Sequence, residues 1–314
     1  AIEKAGVKDG MTLSFHHHLR NGDYVMKMVM ERVQAKGIKD ITIASSSLSP
    51  CHDFLVEMIQ DGTVTALETS GLRDRLGKFL TQNPGVLKRP VVIRSHGGRA
   101  RAVCTGEAHI DVAFMGVPAC DRRGNATGRK GKSACGALGY AMVDSHYADK
   151  TVLLTDNLID YVYPISIPQT DVDYIVEVEA IGDPEGIASG AVGITKNPVQ
   201  IKIAEMAAEF LDQAGIIQEG FSFQLGAGGA PLAVAKFIGE KLEKKGVVGG
   251  FGVGGATGVL VSMLEKGHIK AIYDTQTFDT TAAASLDTNP NHIEMSASMY
   301  ADPTTDCMTN YLDV

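Results

Sequence analysis

Residues 11–44 read MTLSFHHHLRNGDYVMKMVMERVQAKGIKDITIA, and this stretch indicates how the chain is built. The residues from Met11 to Phe15 predict a short strand, and those from Ile41 to Ala44 predict a second one. Between them, apolar residues recur at the spacing of an amphipathic helix, at Val25, Met28, Val29 and Val33. Gly37 ends that helix. This order predicts two parallel strands joined by a helical crossover.

The same alternation of strands and helices continues along the chain. Helices are predicted from Asp53 to Gln60 and from Arg73 to Thr81. Further strands are predicted from Val64 to Glu68, Val91 to Ile93, Asp111 to Met115 and Thr151 to Leu154. Repeated β-α-β order predicts an α/β fold with a mostly parallel sheet covered on both faces.

A chain of 314 residues exceeds the usual size of a single core, so we expect two domains, residues 1–190 and 191–314. The segment from Asp183 to Pro198 is rich in turn formers and is the expected joint. Asn197 should cap a long helix that begins at Pro198. A second β-α series follows at 221–225, 233–242, 247–248, 257–265 and 269–273.

Both ends of the chain suggest a longer protein. The chain lacks an initiator Met, and residues 311–314 stop where a strand begins. We therefore expect the second domain to be truncated.

Composition excludes several classes of protein. The net charge of −8 argues against a nucleic-acid partner, which requires a clustered basic surface. Neither a signal peptide nor an apolar run of about 18 residues is present, so no membrane association is expected. The cysteines are scattered and odd in number, as in reduced cytoplasmic proteins: Cys51, Cys104, Cys120, Cys135 and Cys307.

A first glycine-rich loop, LGAGGAP at residues 225–231, lies between a predicted strand and a predicted helix. Glycines let a ligand approach the backbone, and a helix N-terminus offers free N–H groups and positive potential. Pyrophosphate or a thioester oxygen would suit such a site. The alternative is a tight turn with no ligand.

A second glycine-rich segment, GFGVGG at residues 250–255, matches the pattern G-x-G-x-x-G, with Asp274 24 positions after Gly250. This is the dinucleotide fingerprint, so an NAD(P)-dependent oxidoreductase is the alternative function. Against it, the strand predicted before the loop is only Val247-Val248, whereas such a unit normally leads with about five apolar residues.

Histidine and arginine side chains follow two predicted strands, in FHHHLR at 15–20 and SHGGRAR at 95–101. Ligands of open α/β sheets bind at the carboxyl ends of strands, and Arg and His both donate hydrogen bonds to carboxylates. A multiply charged acid would fit, although solvated loop residues or a buried core histidine are the plain alternative. A zinc site is not expected, because His16 and His18 could converge but no further ligand stands nearby. No G-x-S-x-G motif points to a serine hydrolase.

Several stretches together resemble the citrate lyase alpha subunit family of the CoA-transferase superfamily. They are residues 14–17, 44–49, 95–99, 110–114, 116–118, 135–140, 219–222 and 289–294. The resemblance implies two CoA-transferase-like open α/β domains. It also implies exchange of acetyl for citryl on an acyl carrier whose prosthetic group derives from dephospho-CoA, so that CoA or acetyl-CoA would mimic it. The implied partners are a beta subunit and an acyl carrier (gamma) subunit, in a homo-oligomeric arrangement.

The resemblance also suggests roles for particular residues, with no metal among them. Carrier binding is expected of Gly226, Gly228 and Gly229. The reaction centre is expected to be lined by Gly252, Gly254 and Gly255 together with His16 and His17. Citrate binding, to which the two histidines would also contribute, is expected of Arg20, His96 and Arg99.

One departure from the superfamily bears on mechanism. Many CoA-transferases use a glutamate nucleophile, and aligning the helix that ends at Leu264-Glu265 places it near Gly254. No carboxylate occurs from Gly249 to Gly258. We therefore expect direct acyl exchange: a carboxylate of citrate attacks the acetyl thioester, and the carrier thiolate opens the mixed anhydride. Backbone N–H groups would stabilise the oxyanion.

Overall fold

The computed structural model describes residues 1–187, 193–301 and 307–314, which belong to two compact units. Unit 1 comprises Ala1–Ile187 and Ser296–Thr305, and unit 2 comprises Ala188–Met295 and Asp306–Val314. The predicted boundary between residues 190 and 191 lies outside the described residues. The prediction placed residues 296–301 in the second domain, whereas these residues belong to unit 1.

Unit 1 is built on a sheet of seven parallel strands. These strands are β1 Thr12–Phe15, β2 Ile41–Ser45, β3 Val64–Thr69, β4 Val92–Ile93, β5 Val112–Gly116, β8 Lys150–Thr155 and β10 Tyr174–Glu177. Their order across the sheet is β10-β8-β5-β1-β2-β3-β4. A small second sheet contains β6 Ala119–Asp121, β7 Ala126–Thr127 and β9 Leu158–Ile159. The helices are α1 Ile2–Ala5, α2 Val25–Ala35, α3 Leu55–Gln60, α4 Asp74–Gln82, α5 His96–Cys104, α6 Gly139–Tyr147, α7 Pro184–Ile187 and, after unit 2, α12 Ala297–Ala301.

The core of unit 1 lies along the central strands. Every residue of β2 and β5 is buried, as expected for strands covered on both faces. Phe15 and Phe114 stack with ring centroids 5.9 Å apart. The chain builds the sheet from β1 to β4 on one side and then adds β5 on the other side of β1. The point between β1 and β5 is therefore the topological switch point of the sheet.

Unit 2 contains a second parallel sheet whose four strands follow chain order. They are β11 Phe223–Leu225, β12 Gly249–Ala256, β13 Ile269–Thr277 and β14 His292–Glu294. The helices are α8 Pro198–Gln213, α9 Gly229–Lys245, α10 Gly258–Glu265 and α11 Thr280–Thr288. The predicted cap is confirmed, because the Asn197 side chain accepts from the N–H groups of Val199 and Gln200 at 2.9 and 3.4 Å. The predicted α/β fold with mostly parallel sheets is confirmed.

The structure corrects the prediction for the glycine segment 250–255. It is not a loop but the middle of strand β12, and the strand predicted at Val247-Val248 starts at Gly249 instead. Gly254 has φ +105° at a register shift between β12 and β13, so this position favours glycine. A Cβ on Gly252 would approach Leu260 to 2.9 Å, and one on Gly255 would meet the Phe278 ring at 1.9 Å. Close packing against side chains therefore explains the glycines that sequence reasoning assigned to a ligand loop.

The Gly255→Ala substitution should lower the melting temperature, because its methyl group must displace the Phe278 ring. Overpacking of this kind costs roughly 1–3 kcal/mol. The matched control is Gly193→Ala in the same unit, where no atom of the described residues lies within 4 Å of the added Cβ. Thermal denaturation of both variants checks this, and equal melting temperatures for Gly255→Ala and the parent protein would contradict it.

Candidate functional site

The histidine run lies at the switch point of the unit 1 sheet. His16, His17 and His18 directly follow β1, and Gly116 is the last residue of the neighbouring β5. The Nε2 atom of His16 lies 2.7 Å from the carbonyl oxygen of Gly116, so one hydrogen bond spans the two strand ends. Carboxyl ends of strands at a switch point are where open α/β sheets bind their ligands.

Five aromatic side chains meet at this point and are called the ring cluster here: His16, His17, His18, His96 and Tyr140. Their neighbouring ring centroids lie 4.9 to 5.7 Å apart. The cluster gathers three separate parts of the sequence, of which the sequence analysis had singled out 15–20 and 95–101. Sequence reasoning assigned no role to His18 or Tyr140.

Hydrogen bonds fix the tautomers of two of these rings. The His18 amide donates to Nδ1 of His16 at 3.2 Å, so this nitrogen is an acceptor and Nε2–H donates to Gly116. Nδ1 of His18, 3.0 Å from the same acceptor, is then the protonated nitrogen of its own ring. Burial lowers the pKa of His16, against the partial opposition of the Asp23 and Asp144 carboxylates. His16 is therefore neutral at neutral pH.

His17 is held by Ser46, which directly follows β2. The Ser46 hydroxyl oxygen accepts from the His17 amide at 3.0 Å and lies 2.5 Å from Nδ1 of the His17 ring. These two contacts fix the orientation of the His17 ring against the end of β2.

Arg99 does not have the position that the sequence suggested. Arg99 is 3% exposed, and its guanidinium forms a bidentate pair with Asp144, at 2.7 and 2.8 Å. The same guanidinium donates to the Ala44 carbonyl at 3.1 Å and to Ser14 at 3.3 Å. A side chain so buried and so engaged does not fit the predicted direct contact with a citrate carboxylate.

His96 and Arg20 lie where a ligand can reach them. His96 is exposed and is the first residue of α5, whose N-terminus Ser95 caps by accepting from the Gly98 amide. Desolvation and the positive charges of Arg99 and Arg73 lower the pKa of His96. Arg20 is half-buried at φ +53° in the 3₁₀ turn Arg20–Gly22, which one residue, Leu19, separates from the histidines.

The loop 226–228 of unit 2 lies between β11 and α9, as predicted. Gly228 is the N-cap of α9, and Gly229 is its first residue. A Cβ on Gly229 would meet the backbone of Thr195 and Gly193 at 3.1 and 3.2 Å. The carrier-binding role of these glycines stays a prediction.

Asp274 excludes the dinucleotide interpretation. This residue is fully buried, and its carboxylate accepts from the amides of Ala256 and Gln276 at 3.2 and 2.9 Å and from the Thr277 hydroxyl at 2.6 Å. It holds β12 and β13 together beside the bulge at Gly254 and is not exposed to a ribose. Because the glycine pattern also lies within a strand, both elements of the fingerprint fail.

Within the ranges 1–187, 193–301 and 307–314, one group of three side chains has ligand atoms close enough for a metal ion: His109, Asp111 and Asp149. His109 is already hydrogen-bonded to Asp149 at 3.1 Å, and Asp111 accepts from the Thr12 amide at 2.7 Å. These residues precede β5 and β8 and include no member of the ring cluster. No described helix combines the length and apolar character needed to cross a bilayer.

The family described as "Citrate lyase, alpha subunit (CitF)" matches residues 1–314. The chain belongs to this family. The citrate lyase alpha chain of Klebsiella pneumoniae is 49% identical over 304 residues, 96% of this chain and 59% of that protein. The alpha chain of Haemophilus influenzae is 50% identical over 303 residues, 96% of this chain and 60% of that protein. The chain thus spans about three fifths of the length of these curated relatives.

Solved structures agree with the family and the fold. The alpha subunit of citrate lyase from Streptococcus mutans, crystallised in complex with citrate, has a TM-score of 0.95 and 52% identity. That likeness covers 99% of this chain and 61% of that one. A Pseudomonas malonate decarboxylase hetero-tetramer in complex with malonate has a TM-score of 0.66 at 19% identity, over 88% of this chain and 50% of that one, and shows the fold alone. The predicted family is confirmed, and none of these relatives supports an oxidoreductase.

Sequence reasoning missed residues whose importance depends on partners distant in sequence. Tyr140 belongs to a stretch that carried the family resemblance, yet its contacts with His17 and His96 appear only in the fold. Asp144 lies one helical turn beyond Tyr140, and this spacing on one face of α6 is the only signal in the sequence.

The lowered pKa of His16 predicts how stability depends on pH. Below about pH 6.5 this histidine is protonated in the unfolded chain but stays neutral to lower pH in the native state. The free energy of unfolding therefore falls as the pH decreases from 7.5 to 5.5. In His16→Gln, whose amide can still donate to Gly116, the free energy of unfolding should fall less over that range. Denaturant unfolding of both proteins at each pH checks this. Because His96 is present in both, the difference isolates His16, and parallel pH profiles would contradict the prediction.

Proposed function

We propose that the protein exchanges acetyl for citryl on an acyl-carrier thioester, as the alpha subunit of a citrate lyase. The observation that carries the proposal is the ring cluster at the sheet switch point, in a chain 52% identical to a citrate lyase alpha subunit crystallised with citrate. In this proposal citrate binds at the cluster, and the carrier's prosthetic group, for which CoA or acetyl-CoA is a mimic, binds at the glycine loop of unit 2.

The cluster offers hydrogen-bond donors suited to a polycarboxylate. The rings of His17 and of exposed His96 would donate hydrogen bonds to carboxylate oxygens, and Arg20 would add a positive charge. His96 and Tyr140 also lie in the first turns of α5 and α6, and helix N-termini favour negative charge. Histidine donors, a cation and helix dipoles together would hold a tricarboxylate.

The carrier would bind to the backbone of unit 2. The loop 226–228 leads into the 17-residue helix α9, whose N-terminus favours a phosphate or a thioester oxygen. In the proposed reaction, β12 lines the thioester carbonyl with backbone groups of Gly252, Gly254 and Gly255. The bulge at Gly254 takes the backbone out of the regular ladder, and such features occur next to active sites.

The proposed chemistry proceeds without an enzyme nucleophile. A carboxylate oxygen of citrate attacks the acetyl carbonyl and expels the carrier thiolate, forming an acetyl-citryl anhydride. The thiolate then attacks the citryl carbonyl and expels acetate, which keeps the bridging oxygen. The absence of any carboxylate from Gly249 to Gly258 supports this route over a glutamyl-enzyme intermediate.

The proposed partners are the beta subunit and the acyl carrier (gamma) subunit of citrate lyase, with the alpha subunit forming homo-oligomers. The names of the relatives, which are chains of a multi-subunit enzyme, support this assembly. All five cysteines are free thiols, in keeping with the proposed cytoplasmic location.

The central test is a single-turnover reaction of the full-length protein with acetyl-CoA and citrate labelled with ¹⁸O in its carboxylates. Mass spectrometry should detect citryl-CoA and acetate that carries one ¹⁸O from citrate. Absence of citryl-CoA would reject the proposed function. Unlabelled acetate in the first turnover, together with a glutamyl hydroxamate formed when hydroxylamine attacks a glutamyl thioester of the enzyme, would instead reject direct exchange.

The carrier site predicts a separation of kinetic effects. A Gly228→Leu side chain would crowd the loop that leads into α9, so KM for acetyl-CoA should rise roughly tenfold or more while KM for citrate is unchanged. Gly228→Ala is the matched control, because its Cβ would meet Pro231 at an ordinary 3.4 Å. A folded Gly228→Leu protein with normal acetyl-CoA kinetics would show that the loop is only a turn.

A further inference from the structure

A buried ion pair lies directly beneath the ring cluster. Arg99 and Asp144 form it through two parallel hydrogen bonds, with side-chain exposures of 4% and 0%. Asp144 also accepts from the Ser14 hydroxyl, and Arg99 also donates to the Ala44 carbonyl. Ser14 belongs to β1, Ala44 to β2, Arg99 to α5 and Asp144 to α6, so the pair joins four elements.

These four elements are the ones that carry the ring cluster and its support. His16, His17 and His18 follow β1, and Ser46 follows β2. His96 stands three residues before Arg99 on α5, and Tyr140 stands four residues before Asp144 on α6. Residues spaced by three or four lie on one face of a helix, so each half of the ion pair is one turn below a ring.

We propose that Arg99 and Asp144 are positioning residues that hold His96 and Tyr140 against His17, and that Arg99 does not itself bind substrate. The inference rests on the proposed function for the identity of the ligand, citrate. Rotation or sliding of α5 against α6 would break the parallel hydrogen bonds, and the pair therefore fixes the register of the two helix N-termini. Citrate affinity then depends on the placement of His96 and Tyr140 against His17, which the ion pair maintains.

Direct binding of citrate by Arg99 is the competing explanation, and the contacts disfavour it. A citrate carboxylate could take the guanidinium only by displacing Asp144. That would leave a fully buried carboxylate with the Ser14 hydroxyl as its remaining described donor, at a large desolvation cost.

A double-mutant cycle in the full-length protein separates the two roles. The variants are Arg99→Met, Asp144→Leu and the double substitution, and an apolar replacement of both charges preserves stability better than a single one. If the pair positions the cluster, each single substitution raises KM for citrate roughly tenfold or more, the double substitution adds little, and KM for acetyl-CoA stays constant. If Arg99 binds citrate directly, Asp144→Leu frees it and KM for citrate stays equal or falls, which overturns the proposal.

The matched control is Arg101→Met on the same helix, because Arg101 is exposed and pairs with Glu107 at the surface. It should leave both KM values unchanged. Arg99→Lys and Ser14→Ala are milder variants for the case in which the cycle variants do not fold. Arg99→Lys keeps the positive charge but cannot form two parallel hydrogen bonds to Asp144, and Ser14→Ala removes one donor to Asp144. Both variants should raise KM for citrate by a smaller factor.

A measurement without substrate distinguishes failure of this proposal from failure of the proposed function. NMR spectra of histidine-labelled protein report the ring environments of His17 and His96, each of which contacts Tyr140. These resonances should shift in the folded Arg99 and Asp144 variants and stay in place in Arg101→Met. Unmoved rings would overturn the positioning role even if citrate kinetics changed. If the parent protein forms no citryl-CoA, the proposed function is rejected. The ring spectra then still test whether Arg99 and Asp144 position the cluster.

Discussion

All seven strands of the unit 1 sheet run in one direction, and this constraint governs the rest of the unit. Parallel strands put all their carboxyl ends at one edge, so the loops after β1, β2 and β5 meet there although they are distant in sequence. Open α/β sheets bind their ligands at such a switch in strand order, which lies here between β1 and β5. The hydrogen bond between His16 and Gly116 joins the two strand ends at this point.

Burial sets the electrostatic character of that edge. Arg99, three residues after His96 on α5, is paired with Asp144, and burial keeps His16 neutral. A buried ion pair contributes little net stability, because desolvation of both charges offsets their attraction. Its value here is geometric, since a bidentate pair between two helices allows few relative orientations.

The sequence predicted those strands, helices and caps that depend on neighbouring residues. The periodicity of residues 11–44 predicted β1, α2 and β2, and Asn197 with Pro198 predicted the start of α8, because caps and apolar periods depend on neighbouring residues. The interpretation of 250–255 as a loop was wrong, because Leu260 and Phe278 force glycine on a strand through contacts that no local pattern reveals. Arg99 was assigned to citrate for the same reason: its partner Asp144 lies 45 residues away.

The lowered pKa values of His16 and His96 suit the proposed reaction better than a close cation would. A citrate carboxylate that must attack a thioester has to be bound yet remain nucleophilic, and a close bidentate guanidinium would hold its electron density in two strong hydrogen bonds. Neutral imidazole and helix N–H donors bind it more weakly per contact and share the charge over several groups. Arg99 is paired with Asp144, and His96 lies one helical turn before it. This arrangement suits a site that orients a nucleophile better than it suits a site that only binds an anion.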